Sequence, residues 1–304
     1  MRLFKGNSGR SLGGTLFALA LSLALLFQAC GSTSSEPASQ GNEPADSMET
    51  LAEEHSGDQP TATPAAMAEP SVPVTGQEIV YATVAGQPVT GYLAQPENPE
   101  SEALPALITI HEWWGLTDNI QAMTRRLAGE GYTVLAIDLY GGEVATDPAQ
   151  ARELMRSVMD SPGPAQDNIN QAAQFLTGKY AAPKLGSVGW CFGGNWSLRT
   201  GLLLPDLDAM AIYYGQLILA PEALDGLDMP VIGFFGEDDS SIAVEDVKVF
   251  ESRLTALGNP GSINLYPGVG HAFANPSGQN YDAAAAEDAW EKTTAFFATY
   301  LQAG

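Results

Sequence analysis

Cys191 lies at the centre of Gly189-Trp190-Cys191-Phe192-Gly193, a G-x-C-x-G string between an apolar strand-like run and a helix-like one. Such a context predicts a sharp strand-to-helix turn that presents the central side chain as a nucleophile. Flanking glycines let strand and helix approach while the central residue takes a strained backbone conformation. Taken alone, the pentapeptide is also compatible with a cysteine buried among core aromatics, where free thiols often reside.

Three further groups carry side chains that acyl chemistry needs. His111-Glu112-Trp113-Trp114-Gly115 follows the run 106–110, Gly236-Glu237-Asp238-Asp239 follows 231–235, and His271 follows 262–266. Nucleophile, then acid, then histidine is the chain order of the α/β-hydrolase triad, and unrelated triad folds use other orders. A thiol with an ordinary pKa of about 8.5 gains from a neighbouring imidazole. His271 would take the thiol proton and later return it to the leaving group. A carboxylate, Asp238 or Asp239, would fix its tautomer. The backbone N–H groups of Phe192 and Trp113 are the expected oxyanion donors. Tyr140, Trp190, Trp113 and Phe192 are candidates for the pocket wall, although tryptophans at 113 and 114 also suit a plain core.

These groups require a scaffold that brings strand ends together. Residues 78–83 and 88–93 read as a hairpin, followed by strands at 106–110, 133–137, 185–189, 209–214, 231–235 and 262–266. Helical spacing occupies 119–129, 148–159, 165–178, 194–203, 243–257 and 282–301. Alternation of this kind predicts an α/β fold, a mostly parallel sheet with helices on both faces and an antiparallel hairpin at its start. No stretch is long enough for a large lid domain. Ligands in such sheets gather beyond the carboxyl ends of the strands.

The folded part begins at about residue 76 and runs to 304. Ahead of it, Arg2, Lys5 and Arg10 precede an apolar run from Leu12 to Phe27, which reads as an export signal over 1–29. Leu26-Phe27-Gln28-Ala29-Cys30 resembles a bacterial lipobox, making Cys30 a lipidation candidate and the mature N-terminus; Phe27 and Gln28 depart from that pattern. Residues 30–75 are Ser-, Pro- and Ala-rich and hold eight acidic residues with no Lys or Arg, the composition of a disordered tether. His55 falls inside this stretch and is expected to have no catalytic role. These features predict an exported protein on the cell envelope, held to the membrane by its N-terminus. Residues 76–304 hold 28 acidic and 10 basic residues, a net charge of −18 that argues against nucleic acid as a partner. With Cys30 set aside, Cys191 is the one remaining thiol, so no disulfide framework exists.

Across residues 78–302 the chain resembles the dienelactone hydrolase family. The resemblance rests on His111-Glu112-Trp113-Trp114-Gly115, Asp138-Leu139-Tyr140-Gly141-Gly142, the Cys191 turn with Gly194, Gly236-Glu237-Asp238-Asp239, and Tyr266-Pro267-Gly268-Val269-Gly270-His271-Ala272-Phe273. It implies an α/β-hydrolase fold with a Cys191–His271–Asp239 triad, the family spacing choosing Asp239 over Asp238. It also implies that Glu112 pairs with the resting thiol until substrate turns the sulfur toward the histidine. The implied reaction is hydrolysis of small carboxylic esters or lactones through a cysteinyl thioester, with no metal or cofactor; a monomer is expected. One feature departs from the family: 272–289 contains no Arg or Lys to hold a substrate carboxylate, leaving Arg152 and Arg156 as remote candidates. The other readings are a catalytically silent envelope binding protein on the same fold and a thioesterase or acyl transferase.

Overall fold

The computed structural model describes residues 50, 53–55, 57, 58, 60–64, 66–99, 101 and 103–302. The export signal, Cys30 and most of the tether lie outside the described residues. Eight strands form one sheet: β1 (Val74–Val84), β2 (Gln87–Pro96), β3 (Ala106–Ile110), β4 (Thr133–Ile137), β5 (Leu185–Trp190), β6 (Ala209–Tyr213), β7 (Val231–Gly236) and β8 (Ser262–Tyr266). Their order is β1-β2-β4-β3-β5-β6-β7-β8. β2 runs antiparallel to β1 and β4, and the remaining pairs are parallel. The α/β-hydrolase arrangement expected from the sequence is therefore present.

The sequence explains the layout. β3 to β7 are buried along their whole length, as continuous apolar runs require when helices cover both faces. β8 closes the sheet with half-exposed residues. The leading hairpin turns through Ala85 (φ 49°) and Gly86 (φ 79°), a two-residue loop with both centres left-handed.

Five α-helices lie between strands, α1 (Asp118–Gly129), α2 (Pro148–Asp160), α3 (Gly163–Lys179), α4 (Phe192–Leu203) and α5 (Val244–Ala256), and α6 (Ala283–Phe297) follows β8. α1 and α6 share a face, with the Arg126 guanidinium 4.0 Å from the centre of the Trp290 ring. α3 packs on α4 across the sheet's other face. Asp147 caps α2, accepting from the N–H groups of Ala149 and Gln150 at 2.9 Å each. The final helix ends at Phe297 and widens into a π-helical turn over Ala298–Gln302, where the sequence pattern predicted continuous helix.

α4 begins two residues earlier than the sequence suggested, directly after Cys191. Gly193 and Gly194 read as helix breakers, yet close packing demands them inside the first turn. A Cβ on Gly193 would lie 2.2 Å from the Ile110 carbonyl oxygen, and one on Gly194 would lie 2.5 Å from that of Tyr213. Bare backbone at both positions lets α4 start against β3 and β6.

A hydrogen-bonded frame fixes the loop after β4. The Tyr81 hydroxyl donates to Asn168 Oδ1 at 2.6 Å and accepts from the Asp138 N–H at 3.2 Å. Asn168 Nδ2 donates to the Asp138 carbonyl at 2.8 Å. The Asp138 carboxylate accepts from the N–H groups of Tyr140 and Gly142, which sets Tyr140 above the strand ends. A separate surface concavity of about 300 Å³ lies at the opposite ends of β5 and β6, around Lys184, Leu185 and Asp208, remote from these loops.

Candidate active site

Cys191 follows β5 with φ 55° and ψ −117°, a left-handed strain that a side chain rarely tolerates. Two contacts hold it there. Its N–H donates to the Tyr213 carbonyl at 3.0 Å, and its carbonyl accepts from the Asn195 N–H at 3.2 Å. A Cβ on Gly189 would meet the Gly193 carbonyl oxygen at 1.9 Å, so the turn closes only with glycine there. The sulfur projects beyond the carboxyl end of β5.

Asp239 and His271 arrive from the ends of β7 and β8. Their loops interlock where the Asp238 N–H donates to the Val269 carbonyl at 3.0 Å. Asp238 itself is exposed and Asp239 buried, which separates the two acids. Asp239 Oδ1 accepts from the N–H groups of Ser241 and Ile242 at 2.8 and 3.0 Å. Its Oδ2 accepts from His271 Nδ1 at 2.8 Å. Nε2 of His271 is buried and, apart from the Cys191 sulfur, has no hydrogen-bond partner among the described residues; a ring nitrogen of His271 lies within 4.8 Å of Cys191 Sγ. Cys191, His271 and Asp239 thus come together as the sequence predicted.

The segment read as a featureless tether is where the structure departs most from expectation. His55, expected to stand apart from the chemistry, is fully buried, with Nε2 3.7 Å from Cys191 Sγ. Its ring lies 4.7 Å from that of Trp113 and meets His271 edge-on at 5.2 Å. Nδ1 of His55 bonds Asp58 Oδ2 at 2.5 Å, and Asp58 Oδ1 accepts from the Gln279 N–H at 2.8 Å. Glu54 accepts from the Ser240 N–H and from both serine hydroxyls at 240 and 241. Thr63 is bonded to Ser277 and to the Pro276 carbonyl. The described part of 53–64 is therefore seated over the thiol, and an ordered part of the chain begins before residue 76. Composition hid this, because the segment buries one histidine and otherwise docks through polar contacts. The signal available was the spacing Glu54-His55-x-x-Asp58, an imidazole with acids on either side.

Glu112 also differs from expectation. Its Oε2 accepts from Asn275 Nδ2 at 2.9 Å, and its Oε1 is buried without a partner. The sulfur bonds His55 and His271 rather than Glu112. Asn275, which sequence reasoning missed, also accepts from Asn119 and from the Ser277 N–H. His111 is a structural imidazole: Nδ1 donates to the Glu112 carbonyl at 2.6 Å and Nε2 accepts from the Leu139 N–H at 3.1 Å. Its two ring nitrogens are thereby fixed as donor and acceptor, and burial lowers its pKa.

Tyr140 and Phe192 pack together at 5.4 Å beside His111. Trp190, expected in the pocket wall, instead packs on its neighbour-strand partner Tyr213 at 5.6 Å and belongs to the core. Strand alternation accounts for it, since residues on either side of the turn point to different faces. Arg152 and Arg156 lie on α2, half-buried and exposed, and neither has a hydrogen bond or ion pair to the residues around Cys191.

The electrostatics favour an ionised nucleophile. Burial pushes the Cys191 thiol up, but the imidazoles of His271 and His55 outweigh it and bring it down to about 6. Burial likewise opposes charge on His271, yet Asp239 and the sulfur raise its pKa well above the ordinary value. His55 moves up to about 9 against its burial, through Asp58 and then Cys191. Burial and the adjacent sulfur lift Glu112 to about 8. The arrangement can hold a thiolate beside an acid-backed imidazolium, the resting pair of a cysteine nucleophile.

The profile of the dienelactone hydrolase family matches residues 89–301. The chain belongs to the dienelactone hydrolase family. Protein usf of Aquifex pyrophilus is 34% identical over 224 residues, covering 71% of this chain and 95% of that protein. A Saccharolobus solfataricus protein provisionally named carboxymethylenebutenolidase is 30% identical, covering 69% of this chain and 94% of its own. Among solved structures, one from Klebsiella pneumoniae provisionally titled dienelactone hydrolase superposes with a TM-score of 0.67 at 25% identity, covering 75% of this chain and all of that one. This dienelactone hydrolase family member is accordingly a hydrolase of ester bonds. Its family match begins at Val89, so the segment carrying His55 lies outside the matched residues.

Proposed function

We propose that this hydrolase cleaves small, uncharged carboxylic esters or lactones through a thioester on Cys191. The observation that carries the reading is the chain Asp239–His271 directed at a thiol on a strained strand-to-helix turn. Cys191 thiolate attacks the acyl carbon, and the N–H groups of Phe192 and Trp113 receive the oxyanion. His271 gives its proton to the leaving alkoxide, then takes one from the water that cleaves the thioester. Asp239 holds Nδ1–H throughout, keeping Nε2 on the reacting side. Glu112, held by Asn275, supplies a carboxyl beside the sulfur whose charge is suppressed by burial.

His55 occupies the approach to Sγ, and Cys191 is only 3% exposed. Substrate entry therefore requires the residues around His55 to lift. The stretch 272–289, free of Arg and Lys, favours neutral substrates over carboxylate-bearing ones. The test is a pH profile of kcat/KM for a neutral aryl ester, with a simple lactone and a carboxylate-bearing dienelactone alongside. Ionisation of Cys191 places the acid limb near pH 6, with activity rising as pH increases through it. An acid limb at pH 8 or above, or a preference for the carboxylate substrate, contradicts the reading.

The basic and apolar start of the chain supports export, and Cys30 supports a lipid anchor on the cell envelope. Labelled fatty acid should enter the wild-type chain and be lost in Cys30→Ala. Incorporation that persists in the variant rules the anchor out.

A further inference from the structure

We propose that His55, Cys191 and His271 form a binding site for a divalent cation of the zinc class, and that the bound ion fastens the N-terminal segment over the nucleophile. The proposal rests on the reading of Cys191 as the nucleophile and adds to it a reversible metal inhibition.

Three observations carry it. First, a ring nitrogen of His55, Sγ of Cys191 and a ring nitrogen of His271 all lie within 4.8 Å of one another, on three fully or nearly fully buried residues. Tetrahedral zinc, with bonds of about 2.3 Å to sulfur and about 2.0–2.1 Å to nitrogen, sets sulfur and nitrogen about 3.6 Å apart. His55 Nε2 is already 3.7 Å from the sulfur. Second, each imidazole is tied at its far nitrogen to a carboxylate, His55 to Asp58 and His271 to Asp239. That is how metal-ligating histidines are oriented and made more basic. A single general base needs one such partner; two facing imidazoles with two carboxylates behind them suit a shared ion. Third, His271 Nε2 is buried and, apart from the Cys191 sulfur, has no hydrogen-bond partner among the described residues. A tilted ring contact with Trp113 holds His55 from one side.

A neighbouring group, Glu54 with Asp239 and His271, is a poorer cage. Its Glu54 oxygens are already engaged by Ser240 and Ser241. Thiolate and imidazole are also the donors zinc prefers. Binding coordinates the thiolate and two neutral imidazoles, releases their protons to solvent and leaves one corner for water. Coordination draws charge from the sulfur and lowers its nucleophilicity, and a coordinated ring nitrogen can accept no proton, so hydrolysis is suppressed until the ion leaves.

The test uses the full chain freed of metal by a chelator, whose ester turnover is measured first. Cobalt(II) is then titrated as a spectroscopic stand-in for zinc. A thiolate-to-cobalt charge-transfer band and tetrahedral visible bands should saturate at one equivalent, and zinc should displace them. Zinc should suppress ester turnover by at least the same fraction as the site is filled, with recovery on chelation. Asp58→Asn should weaken cobalt binding by about 10–100-fold, the usual cost of losing an outer carboxylate. His55→Ala should weaken it further, with circular dichroism checking that both variants fold. Absence of the charge-transfer band, or equal cobalt affinity in wild type, Asp58→Asn and His55→Ala, overturns the site. Turnover unchanged or raised at saturating zinc overturns the closure. A cobalt band in a chain that turns over no ester supports the metal site while removing the hydrolase reading, so the two fail separately.

Discussion

Cys191→Ala should reduce kcat for a neutral aryl ester by about 10⁴-fold or more, leaving the fold intact. Removing a nucleophile from a catalytic triad typically costs factors of about 10⁴–10⁶, because oxyanion stabilisation and binding alone supply the residue of catalysis. The stability cost should be small. Alanine and cysteine meet similar strain at φ 55°, and the change removes one sulfur contact to His55 at 3.7 Å. Glycines 189 and 193, which close the turn, are untouched. Initial rates and a thermal melt on the same preparation decide the matter. An alanine variant within ten-fold of the parent rate, with an unchanged melt, would mean that another group attacks the ester.

The second large effect belongs to Asp239→Asn. Oδ1 of Asp239 accepts two backbone N–H bonds, from Ser241 and Ile242. An asparagine must keep its carbonyl oxygen there, because its amide nitrogen cannot accept them. The NH₂ group then faces His271 Nδ1, where the carboxylate oxygen stood. Two donors cannot share that bond, so the imidazole adopts the tautomer with its proton on Nε2. In that form Nε2 no longer accepts a proton from the reacting side. The expected loss is about 10⁴-fold in kcat, the scale seen when a triad acid is changed to its amide. KM should move little, since the change does not touch the pocket. A loss below ten-fold would show that Asp239 is not the group orienting His271.

Much of this site can be read in the sequence because strand ends announce it. β3, β5 and β7 are short buried runs and β8 a short alternating one, and the residue types that follow have few reasons to be there together. Gly189, Gly193 and Gly194 were visible as spacing, although their role inside the first turn of α4 emerges only from the close approach to β3 and β6. Trp190 was misplaced because a residue next to a sharp turn can face either side, and apolarity does not choose between pocket and core. Asn275 gave no signal, since an amide in a Gly- and Pro-containing loop is ordinary. His55 was the largest miss. Compositional reasoning asks whether a segment can build its own core, and 50–70 cannot. It borrows one, docking through Glu54, Asp58 and Thr63 on a surface built from residues more than 180 positions later.

That distance in sequence has a consequence in time. The sulfur and His55 are 136 residues apart, and Asp58 meets Gln279 across 221. Contacts so remote form only after the intervening chain is in place, since loop closure is paid before they contribute. The sheet must therefore exist before its cover can settle, and the newly folded enzyme passes through an uncovered stage with its single domain thiol open to oxidants. Docked by polar contacts and one buried ring, the cover is also the first part to come away again. Hydrogen exchange should record this as rapid exchange at Glu54, His55, Asp58 and Thr63 against slow exchange in β3 to β7. The order of assembly and the order of opening are the same sequence of events, run in opposite directions.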